Sequence, residues 1–204
     1  GCIRLHYAFP TGFPLEVLDV MRERPNLCKY LDMPVQHVSD RMLESMRRGT
    51  TKAKTEALIG TIREKVPGIA LRTTLIAGYP GETKAEHAEM VEWIQKMRFD
   101  RLGVFPYSHE ENTRAFNLKD DVPAKEKTRR CEAVMAAQRD ISLSINSSKV
   151  GHTFKVLVDS KEGSWFVGRT EHDSPEVDNT VLVDAKKHYL RIGDFADVKV
   201  TAAE

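Results

Sequence analysis

The residues best suited to bind a ligand lie in the stretch LRTTLIAGYPGET, residues 71–83. Its first half predicts a buried strand, 71–77, and its second half predicts a turn that contains two glycines. Thr83 and Glu86 have the spacing of a capping box, which predicts that a helix begins directly after the turn. Glycines let backbone N–H groups approach a ligand, and a helix N-terminus favours negative charge. Spacing alone equally suits an ordinary strand-to-helix turn, because short glycine motifs are unspecific.

Strand and helix patterns alternate on both sides of this stretch. Strands are predicted at 3–8, 29–33, 71–77 and 101–105, and helical patterns follow each of them. This order predicts parallel βα units, and ligands bind at the carboxyl ends of such strands. Four strands cannot close a barrel, for which eight are usual. Because the chain also opens without Met inside a strand pattern, we expect residues 1–148 to be an α/β layer or part of a barrel in a longer protein.

The pattern changes to a period of two from residue 149 onward. Short apolar–polar runs separated by turns predict a small antiparallel β-barrel over 149–204. Residues 151–204 contain seven Lys and Arg against ten Asp and Glu, a net charge of −3, whereas residues 1–150 carry +4. The net negative charge weakens the sequence-independent binding of this domain to phosphate backbones.

Composition narrows the class of protein further. The chain is 41% hydrophobic with a net charge of +1, and it contains no apolar run of transmembrane length and no signal peptide. We therefore expect a cytoplasmic protein with no membrane partner. The three cysteines lack the spacing of a zinc or iron–sulfur site, and Cys131 is expected to be a small core residue. The run His109-Glu110-Glu111 resembles a metal site in composition only, because neighbours on an extended chain point in opposite directions.

Four stretches together resemble one known family. They are YLDMPVQHVSDRMLESMRRG (30–49), RTTLIAGYPGET (72–83), FDRLGVFPYSHEENT (99–113) and GRTEHDSPEVDNTV (168–181). The chain resembles radical S-adenosylmethionine methylthiotransferases over nearly all of residues 3–201, and its last part resembles their TRAM domain. The resemblance implies that residues 1–148 are the C-terminal half of a partial, TIM-like radical-SAM barrel and that residues 149–204 form a small antiparallel TRAM-like β-barrel.

Two details resemble the RimO branch, which modifies an aspartate of the twelfth small-subunit ribosomal protein. They are the pair Gln36-His37 and the run 107–111, YSHEE. The MiaB branch, which modifies transfer RNA, typically has Gln-Ser-Gly-Ser where this chain has residues 36–39. A transfer-RNA enzyme is therefore one alternative, and a non-catalytic binding module is another.

The resemblance implies S-adenosylmethionine and two 4Fe–4S clusters as cofactors of the full-length enzyme. One S-adenosylmethionine would methylate a sulfur, and another would give the radical that takes hydrogen from the aspartate β-carbon. The family's cluster-binding cysteines are expected before residue 1, so this chain alone is expected to be inactive.

The resemblance also implies the cofactor contacts Gln36, Thr74, Ile76, Gly78, Glu82 and Phe105. Ile76 and Gly78 match the Ile and the second Gly of a GxIxGxxE-like stretch, whereas Thr74 replaces its first Gly and Glu82 lies one residue late. An isoleucine beside a glycine offers adenine an apolar face and free backbone groups. Ile76 is equally suited to a core position, since isoleucine is among the most buried residue types.

The predicted substrate-side residues follow the other strand ends: His37, Tyr107, Ser108 and His109. For His37, a solvated loop histidine is the more common alternative, and the pair Arg129-Arg130 is expected to be solvated. The predicted docking residues of the TRAM-like domain are Lys155, Trp165, Arg169, Lys186, Lys187 and Arg191, with Phe166 and Tyr189 as further candidates for stacking on bases. The acidic charge of this domain favours a basic ribosomal protein as partner. Contact with ribosomal RNA is a further expectation.

Overall fold

The computed structural model describes residues 2–204. Its strands are β1 Ile3–Leu5, β2 Leu27–Asp32, β3 Ala70–Ala77, β4 Arg101–Pro106, β5 Thr153–Glu162, β6 Trp165–Arg169, β7 Val181–Asp184 and β8 Phe195–Lys199. Its α-helices are α1 Glu16–Glu23, α2 Asp40–Ser45, α3 Lys52–Lys65, α4 Lys84–Met97 and α5 Ala124–Ser147. None of these helices is long and apolar enough to cross a membrane.

The first four strands form one parallel sheet in the order β1-β2-β3-β4. This confirms the predicted α/β class and the partial barrel. β1 is shorter than the predicted 3–8, and the chain enters the left-handed region at Tyr7, where φ is 57°. An extended strand cannot continue through that conformation.

The sheet has one covered and one open face. Along β3, Leu71, Thr73, Leu75 and Ala77 are buried, whereas the residues between them are half-buried. The buried side packs with the helices in a single core that includes Ile62, Met90, Ile94 and Val134. The alternation follows from the two-residue repeat of a strand. It leaves Arg72, Thr74 and Ile76 on the opposite, open face.

The long helix α5 buries charged and polar residues beside its apolar ones. Its buried residues are Lys127, Arg130, Val134, Ala137, Gln138 and Ile141. Cys131 is only half-buried, so its prediction as a core residue is wrong. Arg130 is 4% exposed, so its prediction as a solvated residue is wrong as well. The reason is electrostatic, because Arg130 finds a buried carboxylate partner in Glu82.

The last four strands form a curled antiparallel sheet in the order β7-β6-β5-β8. A bulge between Val158 and Ser160 bends β5, which pairs with both β6 and β8. Val156, Val158 and Phe166 are buried on the inner side of this half-barrel. The predicted small antiparallel β domain is confirmed, and the predicted division at residue 149 falls between α5 and β5.

The β6–β7 connection, 170–180, reaches back onto the open face of the parallel sheet. Asp173 accepts a hydrogen bond from Arg101 at 2.5 Å, and both side chains are less than 10% exposed. Asp178 accepts from the Tyr30 hydroxyl at 2.7 Å and lies 3.7 Å from Arg72. The connection therefore covers the lower part of the open face, near the start of β4.

The predicted capping box at the start of α4 is confirmed. The Thr83 hydroxyl accepts from the Glu86 N–H, and the Glu86 carboxylate accepts from the Thr83 N–H at 2.9 Å. The same carboxylate accepts from Ser39 at 2.8 Å and from Arg41 Nε at 2.9 Å. Burial opposes the charge, but the bonds from Arg41, Thr83 and Ser39 lower the pKa of Glu86 to about 2. Glu86 therefore joins the first turns of α2 and α4.

We expect Glu86→Gln to lower the free energy of unfolding by about 2 kcal/mol at pH 7, because hydrogen bonds to a charged group are lost. A lowered pKa stabilises the fold above the ordinary carboxyl pKa, and this stabilisation disappears as the pH falls toward 2. Urea unfolding at several pH values would measure the difference. It should be largest near pH 7 and should shrink below pH 4.5. A difference that does not depend on pH would contradict this assignment.

Candidate functional site

Three strand ends meet at one edge of the parallel sheet. The Gln36 N–H donates to the Thr74 carbonyl at 2.9 Å, and the Gln36 carbonyl accepts from the Ile76 N–H at 2.8 Å. The Tyr107 N–H donates to the Ala77 carbonyl at 2.9 Å. Gln36 and Tyr107, predicted from separate motifs, therefore flank the end of β3 on its two sides.

The part of the open face that the β6–β7 connection does not cover carries three of the predicted cofactor contacts, Thr74, Ile76 and Phe105. Thr74 is paired with Gly103, and Ile76 is paired with Phe105. Phe105 is 60% exposed, and a Cβ placed on Gly103 would meet its ring at 3.9 Å. These residues form a shallow apolar shelf beside a glycine. Such a surface suits the flat face of a nucleobase.

The turn after β3 differs from expectation in one respect. Gly78 and Gly81 have φ of 75° and 78°, which explains why glycine occupies both positions. Their N–H groups do not point to an open site, because Gly78 donates to Glu82 Oε2 at 2.7 Å and Gly81 donates to Asp121 Oδ1 at 2.7 Å. The prediction that these two N–H groups approach a ligand is wrong. The turn is held by carboxylates of its own chain.

Glu82 is the centre of a buried charged cluster. Its carboxylate is 2.8 Å from Arg130 and faces His37 at 3.5 Å and His87 at 3.7 Å. Burial raises the pKa of Glu82, but His37, the Gly78 N–H and Arg130 together outweigh it and bring this pKa below its usual value. Burial also lowers the pKa of His87. The cluster therefore holds an ionised carboxylate behind the turn, whereas direct contact of Glu82 with a cofactor stays a prediction.

His37 is enclosed in this cluster. It is 1% exposed, so the interpretation as a solvated loop histidine is wrong. Its Nδ1 accepts from the N–H groups of Val38 at 2.9 Å and Ser39 at 3.0 Å. The remaining proton is then on Nε2, which faces Glu82. A direct substrate contact of His37 stays a prediction.

The other substrate-side residues lie on the loop after β4. Tyr107 packs edge-on against Tyr79 at 5.2 Å, and its hydroxyl is 3.2 Å from His109 Nδ1. Ser108 and His109 are exposed at the rim of the open face. Their exposure leaves them accessible to a macromolecular substrate.

Lys127 is a residue of this region that the sequence analysis does not predict. Its Nζ donates to Asp120 at 2.7 Å and to the Tyr107 carbonyl at 3.2 Å, and it lies 4.9 Å from the centre of the Tyr107 ring. A signal was present, because Lys127 and Arg130 stand seven and four residues before Val134 and continue its helical face. Cations on a buried stripe indicate buried acceptors.

The predicted docking residues of the β domain form separate groups. Lys155 and Arg169 lie toward the parallel sheet and line a cleft of about 300 Å³ with Arg4 and Cys28. Trp165 lies near Lys186 and Lys187, since the Ser164 carbonyl accepts from the Ala185 N–H at 2.9 Å.

The exposure of the predicted stacking residues varies. Tyr189 is 85% exposed and Trp165 is 45% exposed. Phe166 is 5% exposed, so its prediction as a base-stacking residue is wrong.

The described residues offer no set of ligands for a metal cluster. Within residues 2–204, no three His, Cys, Asp or Glu side chains are grouped so that they hold a metal ion. Cys2, Cys28 and Cys131 are free. The described residues therefore do not fit a 4Fe–4S cluster. The shelf at Thr74, Ile76, Gly103 and Phe105 does fit a nucleoside.

Comparisons with known proteins agree with this architecture. The profile of the radical SAM superfamily matches residues 3–94, and the profile of the TRAM domain matches residues 150–204. Coproporphyrinogen III oxidase (HemN) from Escherichia coli, described as a radical SAM enzyme, is similar in structure with a TM-score of 0.58. That similarity covers 84% of this chain and 46% of the other at 20% identity, so it concerns the fold alone.

Curated relatives are much closer in sequence. Proteins called ribosomal protein uS12 methylthiotransferase RimO are 58% identical in Cytophaga hutchinsonii and 57% identical in Christiangramia forsetii. Each match spans 98% of this chain, and 46% and 45% of the relatives. The same protein of Chlorobaculum tepidum is 52% identical over 97% of the chain and 46% of the relative. The chain thus spans a little under half the length of the relatives it matches.

The fold and the two matching profiles define a radical S-adenosylmethionine protein with a TRAM domain. The chain belongs to the radical S-adenosylmethionine methylthiotransferase family, in its RimO branch. The cofactors of this family are S-adenosylmethionine and 4Fe–4S clusters.

Proposed function

We propose that this chain supplies the surface that holds the cofactor and part of the substrate-binding surface of a methylthiotransferase. The whole enzyme would add a methylthio group to the β-carbon of an aspartate of ribosomal protein uS12 in the cytoplasm. The observation that carries this proposal is the shelf on the open face, in a chain that is 58% identical to a protein named for this activity.

Each side of the shelf would hold a different part of S-adenosylmethionine. Ile76 and Phe105 offer the adenine two apolar surfaces, and Thr74 offers a hydroxyl at the next level of the sheet. The amide of Gln36 donates and accepts hydrogen bonds, which suits the ribose or the methionyl carboxylate. When bound, this cofactor supplies a methyl group and the means to break an unactivated C–H bond. The chain's own task is to orient the nucleoside and to exclude water from the shelf.

The substrate would approach over the rim formed by Tyr107, Ser108 and His109. The acidic β domain favours a basic protein, because opposite charges speed association and suppress wrong partners. Contact with ribosomal RNA belongs to the same proposal, through Lys186, Lys187 and the exposed ring of Trp165.

The activity test uses the intact protein with its reduced clusters, S-adenosylmethionine and purified uS12. We expect a mass increase of one CH₂S unit on a single aspartate of uS12, with consumption of S-adenosylmethionine. Heat-inactivated enzyme and uS12 with that aspartate changed to Asn are the controls. Unmodified uS12 under conditions in which S-adenosylmethionine is cleaved would contradict the proposed substrate.

A transfer-RNA substrate is the alternative within the same family. A titration of the intact protein with uS12 and with unmodified transfer RNA at physiological salt separates the two. We expect tighter binding of uS12. Tighter binding and modification of transfer RNA would favour the alternative, and binding of uS12 without any modification would favour a binding module.

A further inference from the structure

The loop after β2 holds a non-glycine residue in a conformation that favours glycine. Gln36 has φ of 71°, in the left-handed region, where a Cβ is disfavoured. Its backbone is held on both sides by β3, through Thr74 and Ile76. Strained residues of this kind persist only where their surroundings hold them, and they concentrate at ligand sites. The two hydrogen bonds to β3 therefore fix the backbone of Gln36 beside the predicted nucleoside.

The following residue, His37, fixes the loop in two ways. Its Nδ1 accepts two backbone N–H groups, from Val38 and Ser39, which orients the imidazole ring. Its Nε2 then faces Glu82 Oε2 at 3.5 Å, and neither side chain is exposed. The oriented ring therefore faces the carboxylate without a hydrogen bond to it.

The same carboxylate oxygen holds the turn after β3. Glu82 Oε2 accepts from the Gly78 N–H at 2.7 Å. One oxygen atom therefore faces the loop after β2 and binds the turn after β3. The turn that carries Gly78 contacts this atom by a hydrogen bond, and the loop that carries Gln36 approaches it through His37 at 3.5 Å.

We propose that His37 is a positioning residue for the cofactor-binding shelf. It acts through Glu82 and holds the loop of Gln36 against the turn of Gly78. The inference rests on the proposed function, because it takes the shelf to be a nucleoside site. Partners that orient ligand-binding residues typically change affinity by about 10- to 100-fold when they are removed, as is known for metal sites.

The same cluster contains a matched control. His87 faces the other carboxylate oxygen, Oε1, at 3.7 Å and is also buried, at 6% exposed. It comes from α4, and its contact is with the oxygen that Arg130 also binds. A change at His87 therefore disturbs the same charged cluster without touching the connection between the loop and the turn.

The experiment compares His37→Asn with His87→Asn in the intact protein, purified with its clusters. The Asn side chain still accepts from the Val38 and Ser39 N–H groups but is too short to reach Glu82. Calorimetric titration with S-adenosylhomocysteine measures the affinity, and hydrogen exchange measures protection of the Gly78 amide. We expect about tenfold weaker binding and faster exchange at 77–82 for His37→Asn, against less than a twofold change in affinity and unchanged exchange there for His87→Asn.

Equal weakening by both variants would mean that the cluster only stabilises the core, and it would overturn the inference. Unchanged affinity in His37→Asn would overturn it too. If His37→Asn does not fold, Glu82→Gln takes its place, since it keeps an acceptor for Gly78 but loses the charge that faces His37. Unchanged affinity in Glu82→Gln would then overturn the inference. Failure of the unaltered protein to bind S-adenosylhomocysteine would instead count against the proposed function.

Discussion

Asp173→Ala is expected to lower the free energy of unfolding by about 3–5 kcal/mol, because it leaves the Arg101 guanidinium buried without its partner. Arg101 and Asp173 are 7% and 4% exposed, and Asp173 Oδ2 also accepts from the Thr170 hydroxyl at 2.6 Å. The cost of an unpaired buried charge exceeds the value of the pair itself. Urea unfolding at pH 7 measures the loss.

The control for this prediction is Asp159→Ala. Asp159 pairs with Arg169 at 2.9 Å, but its side chain is 38% exposed. Solvent screens such a pair, so we expect a loss of less than about 1 kcal/mol. Equal losses of unfolding free energy in the two variants would contradict the assignment of Arg101–Asp173 as a buried ion pair that joins the β domain to the parallel sheet.

The same variant separates stability from cofactor binding. Arg101 is four residues before Phe105 on β4, a distance of about 13 Å along a strand, and two residues before Gly103, a distance of about 7 Å. The apolar end of the shelf, at Ile76 and Phe105, therefore lies away from the Arg101–Asp173 pair. At low temperature, where the variant is still folded, its affinity for S-adenosylhomocysteine should stay within about twofold of the unaltered protein.

Local features were predictable from the sequence because their causes are local. The capping box of Thr83 and Glu86 depends on two residues three positions apart, and it is present as predicted. β3 is present where the sequence predicts a buried strand, but only every second residue of 71–77 is buried, and Thr74 and Ile76 lie together on the half-buried face. Resemblance to a family then selected that face as a cofactor site, which periodicity alone does not do.

Partners distant in the sequence were not predictable. Arg130 and Glu82 are 48 residues apart, and Arg101 and Asp173 are 72 apart. A charge inside a strand or on a buried helical stripe indicates that a partner exists, but it does not identify that partner. The same limit explains why His37 and Arg130 depart from the average exposure of their residue types, since both belong to one buried cluster.

Gly78 and Gly81, the two glycines of the turn after β3, differ in the space that surrounds an added Cβ. Gly78→Ala is expected to lower the free energy of unfolding by about 3 kcal/mol, from a left-handed backbone and a steric clash together. A Cβ there would lie 2.4 Å from Lys127 Cγ. Lys127 cannot move away freely, because its Nζ is bound to Asp120 and to the Tyr107 carbonyl.

Gly81→Ala is the matched control. Its φ of 78° carries the same backbone penalty, but its Cβ would meet Arg41 at an ordinary 3.7 Å. We expect it to cost only about 1–2 kcal/mol, so the difference between the two variants measures the clash. Urea unfolding gives both values, and equal losses would mean that the turn shifts away from Lys127 without cost.

A double-mutant cycle identifies the residue that causes the clash. Lys127→Ala alone loses the bonds to Asp120 and Tyr107, and combined with Gly78→Ala it also removes the Cγ that the new methyl group meets. We expect the double variant to be more stable than the sum of the two losses predicts, by about 1–3 kcal/mol. Strict additivity would place the cost of Gly78→Ala in the backbone alone. A favourable coupling would show that α5 packs directly against the turn beside the proposed nucleoside site. It would also show that Lys127 determines how closely α5 approaches that turn.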